Sequence, residues 1–139
     1  MNKILISDSM DKIAQEFLIS EGLKVDVITD FSDEQLHENI INYNGLIVRS
    51  ATKVTKKIIS NAKNLKIIGR AGAGVDNIDL EAAKNKNIIV MNTPGGNTNA
   101  TAEHTIALLF SSLRFINEAN ISTHNGLWEK KKFKGSEVR

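Results

Sequence analysis

Three short stretches carry the groups from which a binding site for a small anion could be built. The first is Arg49 followed by Ser50, directly after the apolar run GLIV. The second is KIIGRAGAGVDNID, residues 66–79, where an apolar run ends in Gly69, Arg70 follows, and Gly72 and Gly74 sit one residue apart. The third is NTPGGN, residues 92–97, ahead of a long apolar-striped segment. An arginine presents a planar fork that matches a carboxylate or phosphate. Glycine removes the Cβ, so a backbone N–H can approach a ligand closely. A helix amino terminus has unpaired N–H groups and a positive partial charge. The glycine pair is not a dinucleotide fingerprint. That motif asks for a third glycine at position 77 and a helix opening inside it, whereas this chain has Asn77 and its next helix cap at Asp79.

The elements that must hold these groups follow from the apolar pattern. Short apolar runs predict strands at residues 3–7, 25–28, 45–48, 66–69 and 88–91. Between them helices are expected at about residues 10–21, capped by Asp8 or Ser9, with Ile13, Phe17 and Leu18 at helical spacing. Others are expected at 33–41 after Ser32, at 55–62, and at 79–86. Strict alternation of strand and helix gives a doubly wound α/β fold with a parallel sheet of about five strands. In such a sheet ligands sit at the carboxyl ends of the strands, where all three stretches fall. Taken singly, the arginines would be ordinary surface ion-pair residues and the Gly95–Gly96 pair an ordinary turn. Placed on one edge, they describe a site for a small acid with two anionic groups.

From Thr98 to about Asn125 a single helix is expected, roughly 40 Å long at 1.5 Å per residue. Ala102, Ile106, Leu109, Leu113 and Ile116 line one stripe, widened by Leu108, Phe110 and Phe115. It is too long and too apolar for a sheet of short strands, so a second domain or subunit is expected against it. The tail after Gly126 is basic, and Trp128 and Phe133 have nothing downstream to pack on, so the chain reads as one that continues.

Composition narrows the function classes. The 139 residues correspond to one domain's worth of chain, with 41% hydrophobic and 24% charged residues. A net charge of +2 argues against a nucleic-acid or membrane partner. The absence of cysteine excludes disulfides, a thiolate nucleophile and zinc–thiolate sites. The amino terminus is too short in apolar residues for a signal peptide, so a cytoplasmic location is expected. His37, His104 and His124 have no acidic partner at useful spacing and read as structural or surface residues; no metal-ligand cluster is expected. The run of lysines at 130–132 reads as a solvated face. The chain can hold an anion, and no group in it is assigned to catalysis.

The stretches NLKIIGRAGAGVDNIDLEAA (64–83), VMNTPGGNTNATAEHT (90–105), GLWEKKKFKGSE (126–137) and IVRSATKVT (47–55) closely resemble the D-isomer-specific 2-hydroxyacid dehydrogenases, and among them those acting on 3-phosphoglycerate. The resemblance implies a flavodoxin-like substrate domain over residues 1–97. It also implies an interdomain and dimer helix opening the nucleotide domain over 98–139, with the Rossmann NAD domain and the catalytic arginine, glutamate and histidine beyond this sequence. It implies substrate contacts at Arg49, Ser50, Arg70, Gly72 and Asn97, and the nicotinamide side of the bend at Ala73. Lys130 matches a basic position that reaches the neighbouring subunit's phosphate site, where relatives often have arginine; lysine keeps the charge and loses the bidentate fork. The implied activity is NAD-dependent oxidation of 3-phosphoglycerate to 3-phosphohydroxypyruvate, by a homodimer or homotetramer. The alternatives are another 2-hydroxyacid dehydrogenase, acting on glyoxylate or lactate, and a free-standing, non-catalytic anion-binding module.

Overall fold

A computed structural model describes residues 2–138. The chain divides into two compact units, residues up to Gly96 and residues from Asn97 onward. The first unit alternates β1 (Lys3–Ile6), α1 (Lys12–Ser20), β2 (Lys24–Val27), α2 (Asp33–Asn39), β3 (Gly45–Val48), α3 (Lys56–Asn61), β4 (Ile67–Arg70), α4 (Leu80–Asn85) and β5 (Ile89–Met91). A single 3-10 turn, Ile40–Asn42, follows α2. All pairings are parallel and the strand order is 2-1-3-4-5. This is the flavodoxin-like order, with its topological switch point between β1 and β3. The expected five-stranded, doubly wound α/β architecture is what the chain adopts.

One row of side chains explains why the sheet holds. Leu5, Leu46, Ile68 and Val90 stand opposite one another in register across four strands. Leu5, Leu46 and Ile68 are wholly buried, against Leu36, Ile40, Ile58 and Ile59 from the helical layer. Burial of each such side chain contributes about 1.5–3 kcal/mol. On the other face a Cβ at Gly45 would lie 2.6 Å from Ile4 Cδ1 and 3.2 Å from Ile67 Cγ2. Those two side chains fill the space over β3.

Helix starts follow local chemistry. Ser32 and Gln35 form a reciprocal capping box on α2, and Thr55 and Asp79 cap α3 and α4. The expectation for α1 needs correcting. Its cap is Asp11, not Asp8 or Ser9, because Asp8 is drawn to another partner described below. Of its apolar residues, Ile13 is 69% and Phe17 63% exposed.

The second unit corrects a further expectation. Residues 98–125 do not form one helix. They form α5 (Thr98–Leu113) and α6 (Ile116–His124), with Phe115 in the left-handed region at φ 52°. The tail meets the chain at this point. The Leu113 carbonyl accepts from Ser136 N–H at 3.0 Å at this break. Gly135 lies so close that a Cβ there would stand 2.2 Å from the Leu113 oxygen. The tail thus packs back on the break, and Phe133 is half-buried beside a groove it shares with Phe115 and Ile121. Trp128 is 82% exposed. Among the described residues no helix is long and apolar enough to cross a membrane.

Candidate anion-binding site

The carboxyl edge of the sheet brings the turns after β3, β4 and β5 together by hydrogen bonds. Arg70, the last residue of β4, donates from Nε to the Arg49 carbonyl at 3.3 Å and from Nη1 to the Gly74 carbonyl at 2.7 Å. Its Nη2 lies 3.8 Å from Asp76, and its side chain is only 14% exposed. A Cβ on Gly72 would stand 2.6 Å from Arg70 Nη1. The glycine bend is therefore the surface on which the Arg70 side chain lies. From the β5 side, Asn92 Nδ2 donates to the Ala73 carbonyl at 2.6 Å and Thr93 N–H to the Gly72 carbonyl at 3.0 Å.

The turn after β3 is held from two directions. Asn77 donates from Nδ2 to the carbonyls of Arg49 and Thr52, each at 2.7 Å. Its Oδ1 is buried with no partner among the described residues. From the other side Asp8 accepts from Arg49 N–H, and from Thr52 through both its N–H and its Oγ1 at 2.6 Å. Burial pushes the Asp8 carboxyl up, but hydrogen bonds from the Thr52 side chain and from the backbone of Arg49, Thr52 and Ala51 outweigh it. The net effect lowers it below the ordinary aspartate value. Sequence reasoning missed Asp8 as part of this edge, because a lone Asp after a strand reads as a helix cap. The available signal was topological: in this fold β1 and β3 meet at the switch point.

Several donors at this edge are left free for a ligand. Arg49 uses one guanidinium N–H on the Ser9 carbonyl at 3.0 Å and keeps the rest. The Ser50 hydroxyl and the N–H groups of Ala73 and Gly74 make no hydrogen bond among the described residues. Ser50 also lines an open cleft of about 710 Å³ with Lys53, Lys56, Asp76 and Asn77. Arg49, Ser50, Arg70, Gly72 and Ala73 are thus one neighbourhood within the first unit. Asn97 and Lys130 belong to the second unit. Asn97 is the N-cap of α5 and makes no side-chain cap bond among the described residues. Lys130 is exposed on the turn anchored by Glu129, whose carboxylate accepts from Ser122 Oγ at 2.8 Å. Among the described residues no group of three or more His, Asp or Glu could hold a metal ion.

Comparison with known proteins decides the family. The family model of the D-isomer specific 2-hydroxyacid dehydrogenase catalytic domain matches residues 4–131. The chain belongs to the D-isomer specific 2-hydroxyacid dehydrogenase family. It is 48% identical over 137 residues to the D-3-phosphoglycerate dehydrogenase of Archaeoglobus fulgidus, covering 99% of this chain and 26% of that protein. It is 49% identical over 138 residues to the enzyme of the same name from Sus scrofa, with the same coverage. The chain therefore spans about a quarter of the length of these curated relatives. Among solved structures, the NAD+-bound 3-phosphoglycerate dehydrogenase of Entamoeba histolytica superposes with a TM-score of 0.72 at 34% identity. That match covers 99% of this chain and 42% of that one.

The glycine bend of this chain does not have the form of a pyrophosphate cradle. A pyrophosphate cradle needs an open glycine turn at a helix amino terminus. Here the side of the bend over Gly72 is filled by Arg70, and α4 opens only after Asp79.

Proposed function

We propose that this chain is the substrate-binding part of an NAD-dependent enzyme that oxidises 3-phosphoglycerate to 3-phosphohydroxypyruvate, the first step of phosphorylated serine biosynthesis. The observation that carries the reading is the group of uncommitted donors on one sheet edge: the Arg49 guanidinium, the Ser50 hydroxyl and the N–H groups of Ala73 and Gly74. The 48% and 49% identity to proteins named D-3-phosphoglycerate dehydrogenase supports the choice of acid.

Within this reading residues 1–97 form most of the substrate domain, and 98–139 open the nucleotide domain. Arg49 binds a substrate oxygen with its free N–H groups, and Ser50 donates beside it. Arg70 contributes its remaining donors and fixes the bend, so that the N–H groups near Gly72 and Ala73 face the substrate, with Ala73 nearest the nicotinamide. Asn97 donates or accepts at the substrate hydroxyl, and Lys130 offers charge to the neighbouring subunit's phosphate. The chain binds and orients; the groups that move hydride and proton are assigned to the part of the relatives it does not cover. The protein is cytoplasmic, works with small acids, and is a homodimer or homotetramer through α5.

Two measurements test this. Titrating 3-phosphoglycerate into the 15N-labelled chain is expected to shift the amides of Arg49, Ser50 and Ala73, with Arg49→Ala weakening binding at least tenfold. D-lactate binding as well as 3-phosphoglycerate would move the substrate assignment to another hydroxy acid. The chain alone is expected to show no NADH oxidation with 3-phosphohydroxypyruvate, and turnover by the pure chain would refute the division of labour.

A further inference from the structure

We propose that Asp8 is the positioning residue of the Arg49–Ser50 pair, fixing the loop after β3 in the shape that presents both to an anion; this rests on the substrate-binding reading of that pair. The strand order sets the carboxyl ends of β1 and β3 side by side. Asp8 stands two residues past β1, 5% exposed. Its carboxylate takes the N–H of Arg49, the N–H of Thr52 and the hydroxyl of Thr52. Ser7 Oγ lies 3.1 Å from the same Thr52 hydroxyl, and the Ser9 carbonyl receives the Arg49 guanidinium. Three consecutive residues therefore grip both ends of the loop and the side chain of Arg49.

The loop needs this grip. Among the described residues no backbone hydrogen bond closes 49–53 on itself. The N–H groups of Arg49 and Thr52 are given to Asp8, and their carbonyls accept from Asn77, with Arg70 Nε also donating to the Arg49 carbonyl. A turn closed by its own bond could rotate as a unit. One held through N–H groups on one side and carbonyls on the other has its orientation fixed, and Ser50 is left at the tip. A carboxylate suits the task because it accepts several charge-assisted hydrogen bonds at once. An asparagine in its place would set an NH2 group against those donors.

The test compares wild type, Asp8→Asn, Thr52→Ser and Thr52→Val in the whole chain. Asp8→Asn is expected to speed amide exchange at Arg49 and Thr52 at least tenfold, with Leu46 and Ile68 unchanged. It is expected to weaken 3-phosphoglycerate binding about tenfold, with a melting temperature lowered by the loss of the Asp8 hydrogen bonds but still well above the assay temperature. Thr52→Ser keeps the hydroxyl and should match wild type in both readouts. Exchange and affinity within twofold of wild type for Asp8→Asn would overturn the proposal. If that variant unfolds, Thr52→Val decides, since it removes one of three donors. A dissociation constant raised threefold or more supports the role and an unchanged one refutes it. If wild type shows no ligand shift at Arg49 or Ser50, the substrate reading fails on its own, and the exchange measurement still decides whether Asp8 holds the loop.

Discussion

At Asp8 the hydrogen bonds from the loop after β3 hold the carboxyl below its ordinary value in spite of burial. The folded-state value is lower than the unfolded one, so the stabilisation is fully present above the unfolded value of about 3.9. It is lost as pH falls through the depressed folded value. Asp26, lowered by its bonds to Lys3 and Tyr43, acts in the same direction. Urea midpoints measured from pH 7 downward should stay level to about pH 4 and then fall. In Asp8→Asn the fall should be shallower; equal slopes would mean that Asp8 carries no linked proton. Gly72 yields a second residue-scale expectation. An added Cβ meets only the far end of Arg70, and Gly72 is not among the positive-φ glycines. The bend should therefore survive Gly72→Ala while Arg70 is displaced from the carbonyls of Arg49 and Gly74, at a cost of about 0.5–1.5 kcal/mol. Because that cost is routed through Arg70, Gly72→Ala should add almost nothing in an Arg70→Ala background. Additive losses in urea unfolding would contradict it.

At the scale of elements, the break between α5 and α6 is the feature most easily tested. Phe115 holds a left-handed conformation that costs a non-glycine residue about 1–2 kcal/mol. The compensation comes from the tail, through the bond from Ser136 N–H to the Leu113 carbonyl and the docking of Phe133 near Phe115. Gly135 makes the approach possible, and here the obstacle to a Cβ is backbone that cannot step aside. Gly135→Ala should undock the tail, cost about 1–3 kcal/mol locally, and expose the Ser136 amide to exchange. Retention of Ser136 protection would show that the tail is held by something else. The Ser122–Glu129 bond should persist, since it closes a shorter turn nearer α6.

Across the whole molecule, exposed apolar side chains occur in both units, and one group lies on α5, where a partner is proposed. Ile106, Leu108, Leu109 and Phe110 on α5 all lie exposed. Exposed apolar side chains gathered on one helix mark a candidate interaction segment. Sedimentation velocity should therefore show concentration-dependent association, reduced when Leu109 and Phe110 are both replaced by Glu. A wild-type chain that stays monomeric at high concentration would remove the dimer proposal for α5. The modest net charge of +2 leaves association governed by this apolar surface more than by long-range repulsion.

Much of the architecture was legible because it is written in local pattern. The apolar runs at 45–48 and 66–69, the caps Ser32, Thr55 and Asp79, and the alternation that forces a parallel sheet all act within a few residues. The candidate site was legible to the same extent: Arg49, Arg70 and the glycine bend follow strands whose carboxyl ends must share an edge. What the pattern could not contain were partners brought in from far along the chain. Asp8 looked like a cap because its true partners lie 41 and 44 residues away. The helix after Asn97 read as continuous because the residue that claims the Leu113 carbonyl, Ser136, arrives only when the tail turns back. Arg70 read as an open fork because nothing local shows that its guanidinium folds over Gly72. Short-range propensity set the elements and the kind of chemistry available. Long-range hydrogen bonds, which depend on strand order and close approach, decided which donors are spent on the fold and which remain for a ligand.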